Sequence, residues 1–293
     1  MKQKKIYALG FFDGVHLGHQ ALLRICRRLA ADRNCLPAAV TFPLPPSAVL
    51  QNLEPNMITS VEERELLLRQ YGAEEVRVFP ADQQTFSMEW EEFLEILLSE
   101  GAAGFVCGED YRFGRFGSGT AETLANFAAE RNLPCVIVPE QTMDGQRISS
   151  TRIRTHLEAG DVENANRLLG HPHVLCGKVI HGQHLGRTIG IPTANISLPV
   201  GVLTPAFGVY ACKAMVDGAE YLAVTNVGMR PTVGGDHITV EPWLLDFEGD
   251  LYGKELNLHF YKFLRPEQKF ASLEALKAQI QQDAAKVYEL LQA

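Results

Sequence analysis

The strongest constraint in this chain is a change of period near Gly170-His171-Pro172. Before it, apolar runs of strand length alternate with stretches whose apolar residues recur at helical spacing. After it, helical spacing stops, and β-branched, aromatic and turn residues take over until one last helical stretch. With 293 residues the chain is long for a single core, so the break reads as a domain boundary between about 168 and 175. The two expected domains are residues 1–170 and 171–293.

In the first part Lys5–Leu9, Ala38–Phe42, Glu75–Phe79, Phe105–Cys107 and Cys135–Val138 read as strands. Leu22, Leu23, Cys26, Leu29 and Ala30 mark a helix after the first strand. Ser60-Val61-Glu62-Glu63 fits a capping box, Ser87 is placed to cap a helix holding Trp90, Phe93, Leu94 and Leu97, and a further helix is expected from about Ala121 to Arg131. This alternation predicts an α/β domain with a mainly parallel sheet. In the second part Val174–Ile180, Gly208–Val216, Glu220–Asn226, His237–Phe247 and Lys254–Phe263 follow one another as strands, with Asp217-Gly218 as a tight hairpin turn. They predict a small antiparallel β-barrel domain with a C-terminal helix over Ser272–Leu291, whose Leu273, Leu276, Ile280, Val287 and Leu291 cover one face.

Three stretches of the first domain have chemical character. Gly10–Gln20 joins a strand to a helix through Gly10, Gly14 and Gly18, with Asp13, His16 and His19 between and after them. A helix N-terminus offers free N–H groups and a positive dipole end, and glycine lets backbone approach an anion, so this is a phosphate-handling turn whose two imidazoles address one phosphate. Gly108-Glu109-Asp110-Tyr111-Arg112-Phe113-Gly114 leaves a strand end where a parallel sheet holds its ligands. Arg147-Ile148-Ser149-Ser150-Thr151-Arg152-Ile153-Arg154 sets hydroxyls ahead of a helix with guanidinium groups flanking them, which suits a phosphate or pyrophosphate clamp.

The totals remove other classes. A net charge of −8 argues against a general nucleic-acid-binding surface. No apolar run approaches the roughly 18 residues of a membrane span, and Ile6–Phe12 is too short for a signal peptide, so a cytoplasmic location is expected. Six scattered cysteines without a Cys-x-x-Cys argue against a zinc site or a disulfide scaffold.

With these stretches, a second set is informative: Gly177–Gly182, Leu185-Gly186-Arg187, Gly190-Ile191-Pro192-Thr193-Ala194-Asn195, Asn226-Val227-Gly228, Arg230-Pro231-Thr232, Glu241, Leu251-Tyr252-Gly253 and Leu264-Arg265-Pro266-Glu267. In this order the chain resembles the bifunctional bacterial riboflavin kinase and FMN adenylyltransferase family over nearly its whole length. The resemblance implies a nucleotidyltransferase-like first domain that moves an adenylyl group from ATP to FMN, giving FAD and pyrophosphate. It implies a kinase barrel that moves the γ-phosphate of ATP to riboflavin. The expected small-molecule partners are riboflavin, FMN and ATP with Mg2+, and neither a nucleic acid nor a membrane.

By resemblance, the Gly10–Gln20 turn and Arg147, Ser150 and Thr151 hold ATP phosphates, with His16 and His19 supporting charge at the leaving pyrophosphate. Asp110 and Phe113 meet flavin. In the barrel Gly186, Arg187 and Gly190 lie on the phosphate loop, Thr193 and Asn195 are oxygen ligands for Mg2+, Glu241 is the general base and Arg265 holds flavin. One stretch departs from the family, whose Thr-Phe is followed by a variable residue and Pro-His-Pro. Here Thr41-Phe42 is followed by Pro43-Leu44-Pro45-Pro46, without the imidazole. That departure leaves open a kinase with a weakened adenylyltransferase half, beside the alternative of a non-catalytic flavin-binding regulator.

Overall fold

The computed structural model describes residues 2–181, 190–232 and 235–292. The chain divides into two compact units, Met1–Ser150 and Thr151–Ala293. The first is built on a five-stranded sheet of β1 (Lys5–Leu9), β2 (Leu36–Thr41), β3 (Glu75–Val78), β4 (Ala102–Gly108) and β5 (Cys135–Val138). All its pairings are parallel, in the order β3-β2-β1-β4-β5.

Helices α1 (Leu17–Asp32), α2 (Val61–Gln70), α3 (Trp90–Ser99) and α4 (Ala121–Glu130) make the crossovers. Successive residues of β1 point to opposite faces, and both are buried. Ile6 and Ala8 join Leu22, Leu23 and Cys26 of α1 and Leu68 of α2, whereas Tyr7 and Leu9 join Leu94 and Leu97 of α3 and Leu124 of α4. Covering on both faces explains why the inner strands β1, β2 and β4 read as largely apolar runs, whereas β3 at the edge alternates as Glu75-Val76-Arg77-Val78.

The Ser60 capping box forms as expected: the Glu63 N–H donates to Ser60 Oγ at 3.2 Å, and the Ser60 N–H donates to the Glu63 carboxylate at 2.7 Å. Ser87 has a different place from the expected one. It closes the short helix Gln83–Phe86, and Glu89 precedes α3 without a side-chain cap.

In the second unit α5 (Ser150–Glu158) and α6 (Val162–Leu169) lead to β6 (His173–Ile180), β7 (Asn195–Ser197), β8 (Gly208–Val216), β9 (Ala219–Thr232), β10 (Gly235–Leu244) and β11 (Glu255–Arg265). The strands close into an antiparallel barrel in the order β6-β7-β10-β9-β8-β11. Helix α6 packs with this barrel: the Asn166 amide donates to the Phe260 carbonyl at 2.8 Å and accepts from the His173 N–H at 2.7 Å. The compact units therefore meet ahead of the change in sequence period. Asp217 (φ 50°) and Gly218 (φ 82°) turn β8 into β9 with both residues left-handed, the geometry that a two-residue hairpin prefers.

Helix α7 (Leu273–Leu291), capped by Ser272, lies against the outside of the barrel. Val287 is buried in the seam as expected, but Leu273 is 59% exposed and Asp283 and Ala284 are buried instead. Ala284 and Val287 pack with Val209 and Ala211 of β8 and Val224 of β9. At the end of β11, Arg265 donates through Nε and Nη2 to the Asp283 carboxylate at 2.8–3.2 Å, which pairs the charge buried in this seam.

Burial gives the barrel an acid weakness. His173 is fully buried, and among the described residues its ring nitrogens have no hydrogen-bond partner within ordinary limits. Burial, with His171 and His259 nearby, lowers its pKa from 6.5 to about 3. Between those values the unfolded chain binds the extra proton, so stability is full above 6.5 and falls as pH drops toward 3. Lowering the pH from about 7.5 to about 5 is expected to cost about 2 kcal/mol, read as a lower urea midpoint that His173→Leu makes less pH-dependent.

Candidate functional site

The sheet order places the first site. Strand order reverses between β1 and β4, and ligands of open parallel sheets bind at the carboxyl ends of strands at such a switch point. The Gly10–Gln20 turn leaves the carboxyl end of β1, and the Gly108–Gly114 loop begins at that of β4. The third stretch joins them: Ser150 Oγ donates to the Asp13 carbonyl at 3.0 Å, and Arg147 forms an ion pair with Asp110 and another with Glu140 at 2.8 Å. Gly10, Asp13, Gly14, His16, Gly18, His19, Asp110, Arg147 and Ser150 thus converge on one sheet edge. Thr151 follows Ser150 directly but opens the other compact unit.

The turn is strained and firmly held. Phe12 (φ 60°), Gly14 (φ 76°) and Val15 (φ 39°) take left-handed backbone, two of them with side chains that disfavour it. Phe12 and Val15 are buried, and Asp13 ties the turn down. Its carboxylate is 2% exposed and accepts the N–H groups of Ile58 at 2.9 Å and Thr59 at 3.1 Å, with Arg64 Nη2 at 3.8 Å. Asp13, expected among the phosphate-binding residues, is held in the protein interior, where its carboxylate shapes the turn from beneath.

Arg64 had no signal in the sequence, since it lies within α2 like any helical cation. It is fully buried, donating to the Phe42 carbonyl at 2.6 Å and the Thr59 carbonyl at 3.1 Å, with its guanidinium 4.2 Å from the Phe11 ring centre. The end of β2, where the family's histidine is missing, is thereby fastened to the turn through backbone.

His16 caps α1, its Nδ1 accepting the His19 N–H at 3.3 Å. A ring accepting at Nδ1 carries its proton on Nε2 when neutral. The two imidazoles stack with centres 3.6 Å apart, and Gly18 leaves room for the His16 ring, since a Cβ there would come within 3.1 Å of it. Burial, the neighbouring His16 and Arg64 hold the His19 pKa well below the usual 6.5. Its Nδ1 is sealed in protein and has no hydrogen-bond partner among the described residues. Before ligand arrives, His19 is a neutral ring.

Two expected flavin contacts are otherwise engaged. Phe113 is 7% exposed, stacked on Tyr111 at 5.2 Å and edge-on to Trp90, so its ring belongs to the core under the loop. The Arg265 guanidinium is spent on Asp283, with Nη1 donating to the Pro266 carbonyl at 3.2 Å.

The second site is a row across barrel strands. Glu241 of β10 stands opposite Asn226 of β9, and Ile196 of β7 stands opposite Val240. An Ala194 N–H to Pro242 carbonyl bond of 2.9 Å continues the ladder and sets Asn195 opposite Glu241. Residues opposite one another share a face, so Asn195, Glu241 and Asn226 project together. Asn226 also stands opposite Val209, which packs beneath α7, and this fixes the row on the outer face of the barrel.

Thr193, two residues before Asn195, adds a hydroxyl. Two half-buried neutral oxygen donors ahead of a carboxylate suit a hard cation that also carries phosphate oxygens, so the donor set fits Mg2+. Gly190 (φ 75°) turns the chain just before them, while Gly186 and Arg187 lie outside the described residues.

An open α/β sheet with a phosphate-ready turn at its switch point, followed by a barrel with an outward carboxylate and amide row, defines a two-domain enzyme class that handles nucleotide phosphates twice. The FAD synthetase family model matches residues 1–152, and the riboflavin kinase family model matches residues 169–291. The chain belongs to the bifunctional riboflavin kinase/FMN adenylyltransferase family. It is 38% identical to the protein of that name from Listeria monocytogenes over 283 residues, covering 95% of this chain and 90% of the relative. The Bacillus subtilis relative is 37% identical, with 96% and 90% covered, and that of Escherichia coli K12 is 36% identical, with 95% and 90% covered.

A crystal structure described as a macrolide-efflux protein from Streptococcus pneumoniae has a TM-score of 0.88 and 33% identity, covering 98% of this chain and 94% of that one. That description stands apart from the family models and relatives. Among the described residues no helix is long and apolar enough to cross a membrane.

Proposed function

We infer that the chain makes both flavin cofactors: the barrel phosphorylates riboflavin to FMN with ATP, and the α/β domain adenylylates FMN to FAD with release of pyrophosphate. The observation that carries this reading is that each family model falls on the unit whose local geometry suits its reaction. The alternatives of a kinase with a lost adenylyltransferase half, and of a non-catalytic regulator, are not favoured. We place the functional boundary at 170/171, between the catalytic parts, although α6 packs with the barrel. For an enzyme consuming ATP and riboflavin, the reading places its action in the cytoplasm.

In adenylyl transfer the FMN phosphate is itself the nucleophile, so the protein supplies position and charge rather than a covalent intermediate. The free N–H groups at the start of α1, with the His16 and His19 rings beside them, receive the triphosphate. Arriving phosphate charge favours protonation of the His19 ring, which burial otherwise opposes, and positive charge grows where pyrophosphate departs. Arg147, Ser150 and Thr151 close over the nucleotide from the third loop. Asp110, paired with Arg147, orients flavin or ribose. His16→Ala is expected to lower FAD formation by about 10²-fold while riboflavin phosphorylation is unchanged.

In the kinase reaction Glu241 takes the proton of the ribityl 5′-hydroxyl as that oxygen attacks the γ-phosphate. Gly186, Arg187 and Gly190 hold phosphate on the loop before the row, and Arg265 supports the flavin end indirectly, by fastening the end of β11 to Asp283 of α7. Thr193 and Asn195 would hold Mg2+, which when bound neutralises phosphate charge. Incubating the purified chain with riboflavin, ATP and Mg2+ tests the whole reading. FMN followed by FAD is expected, and FMN accumulating without FAD, even when FMN is added, would remove the adenylyltransferase half.

A further inference from the structure

Glu267 lies just beyond β11, and a close approach directs it to the Asn226 end of the kinase row. Its Oε1 accepts from Asn226 Nδ2 at 3.0 Å. The carboxylate rests directly on Gly228 of β9, where a Cβ would overlap Oε1 and lie 2.9 Å from Cδ. Gly228 is thus a seat for Glu267: any side chain there would push the carboxylate off the strand.

The contact also decides how the Asn226 amide is turned. A carboxylate can only accept, so Asn226 must present its NH2 to Glu267, leaving Oδ1 as an acceptor on the other side of the amide. Asn226 stands directly opposite Glu241. A half-buried asparagine without such a contact could turn either end toward a ligand, and one of its two amide orientations would put a donor where an acceptor is needed.

We propose that Glu267 is a positioning residue of the riboflavin kinase site: seated on Gly228, it locks Asn226 with Oδ1 available to a ribityl hydroxyl beside the one that Glu241 deprotonates. The role rests on the kinase reading of the barrel. Its chemistry is recognition of a polyhydroxylated chain, in which one hydroxyl donates to Asn226 while its neighbour loses a proton to Glu241. Charge is not the property required of Glu267. An acceptor of the same length on the same seat suffices.

The test is steady-state riboflavin phosphorylation by the full chain and its variants, with KM for riboflavin and for ATP measured separately and FMN adenylylation run as an internal control of folding. Glu267→Ala is expected to lower kcat/KM for riboflavin about tenfold, with KM for ATP and adenylylation unchanged. Glu267→Gln keeps an acceptor for Asn226 and is expected to stay within about twofold of the parent. Gly228→Ala is expected to reproduce the Glu267→Ala loss, and combining the two is expected to cost no more than either alone, because trimming Glu267 removes the overlap.

Unchanged kinetics in Glu267→Ala, a Gln variant as impaired as Ala, or a loss confined to KM for ATP would each overturn the assignment while the parent's kinase activity still stood. A parent that phosphorylates no riboflavin would overturn the kinase reading itself, and the assignment with it.

Discussion

Glu241→Gln is expected to lower riboflavin phosphorylation by about 10²- to 10⁴-fold while the same preparation converts added FMN to FAD at the parental rate. The substitution keeps the shape of a half-buried side chain on β10 and leaves the ladder to Asn226 intact, so the fold has no reason to change. What it removes is the proton acceptor. An amide in that position can still hold the hydroxyl, so KM for riboflavin should move little and the loss should fall on kcat. Flavin chromatography after incubation with ATP and Mg2+ reads both reactions at once. Retained phosphorylation would transfer the base to another residue, and parallel loss of adenylylation would point to a folding defect.

How much of this was legible in the sequence differs between the two sites. Alternation of strand and helix implied a parallel sheet. Alternation also placed Gly10–Gln20 as the turn between the first strand and the first helix, where the structure has it. The order β3-β2-β1-β4-β5 was not legible, because local periodicity carries no information about which strands become neighbours. It is that order which sets the Gly108 loop beside the Gly10 turn. Phe113 illustrates a second limit: an aromatic residue in a site loop looks the same in sequence whether it serves a ligand or, as here, packs on Tyr111 and Trp90.

The kinase row was invisible to periodicity. Strand β7 spans three residues, Asn195–Ser197, too few to show alternation, and without it Thr193 and Asn195 read as an ordinary turn after proline. Resemblance to a family supplied those residues, and the ladder then set them beside Glu241. Arg265 shows the converse. Its motif was legible, but Asp283, eighteen positions on and facing it from a helix, claims the guanidinium as a staple.

Asp13→Ala is expected to destabilise the first unit by about 3–5 kcal/mol, the usual cost of removing one partner from a buried ion pair. Asp13 and Arg64 are 2% and 0% exposed, and the carboxylate is the acceptor for the Ile58 and Thr59 N–H groups as well as the anion facing Arg64. Alanine would strand those donors and leave a cation in the core. It would also release a turn whose left-handed Phe12 and Val15 persist because the surroundings hold them.

FAD formation should therefore fall with stability, while riboflavin phosphorylation survives at temperatures where the first unit has melted. Restoring the balance offers a second check. Adding Arg64→Met to Asp13→Ala removes the stranded charge and should recover part of the lost melting temperature, but not FAD formation, because the turn still lacks its anchor. A double variant that regained full adenylylation would show that the charge pair serves folding alone, and that the strained turn finds its shape without Asp13.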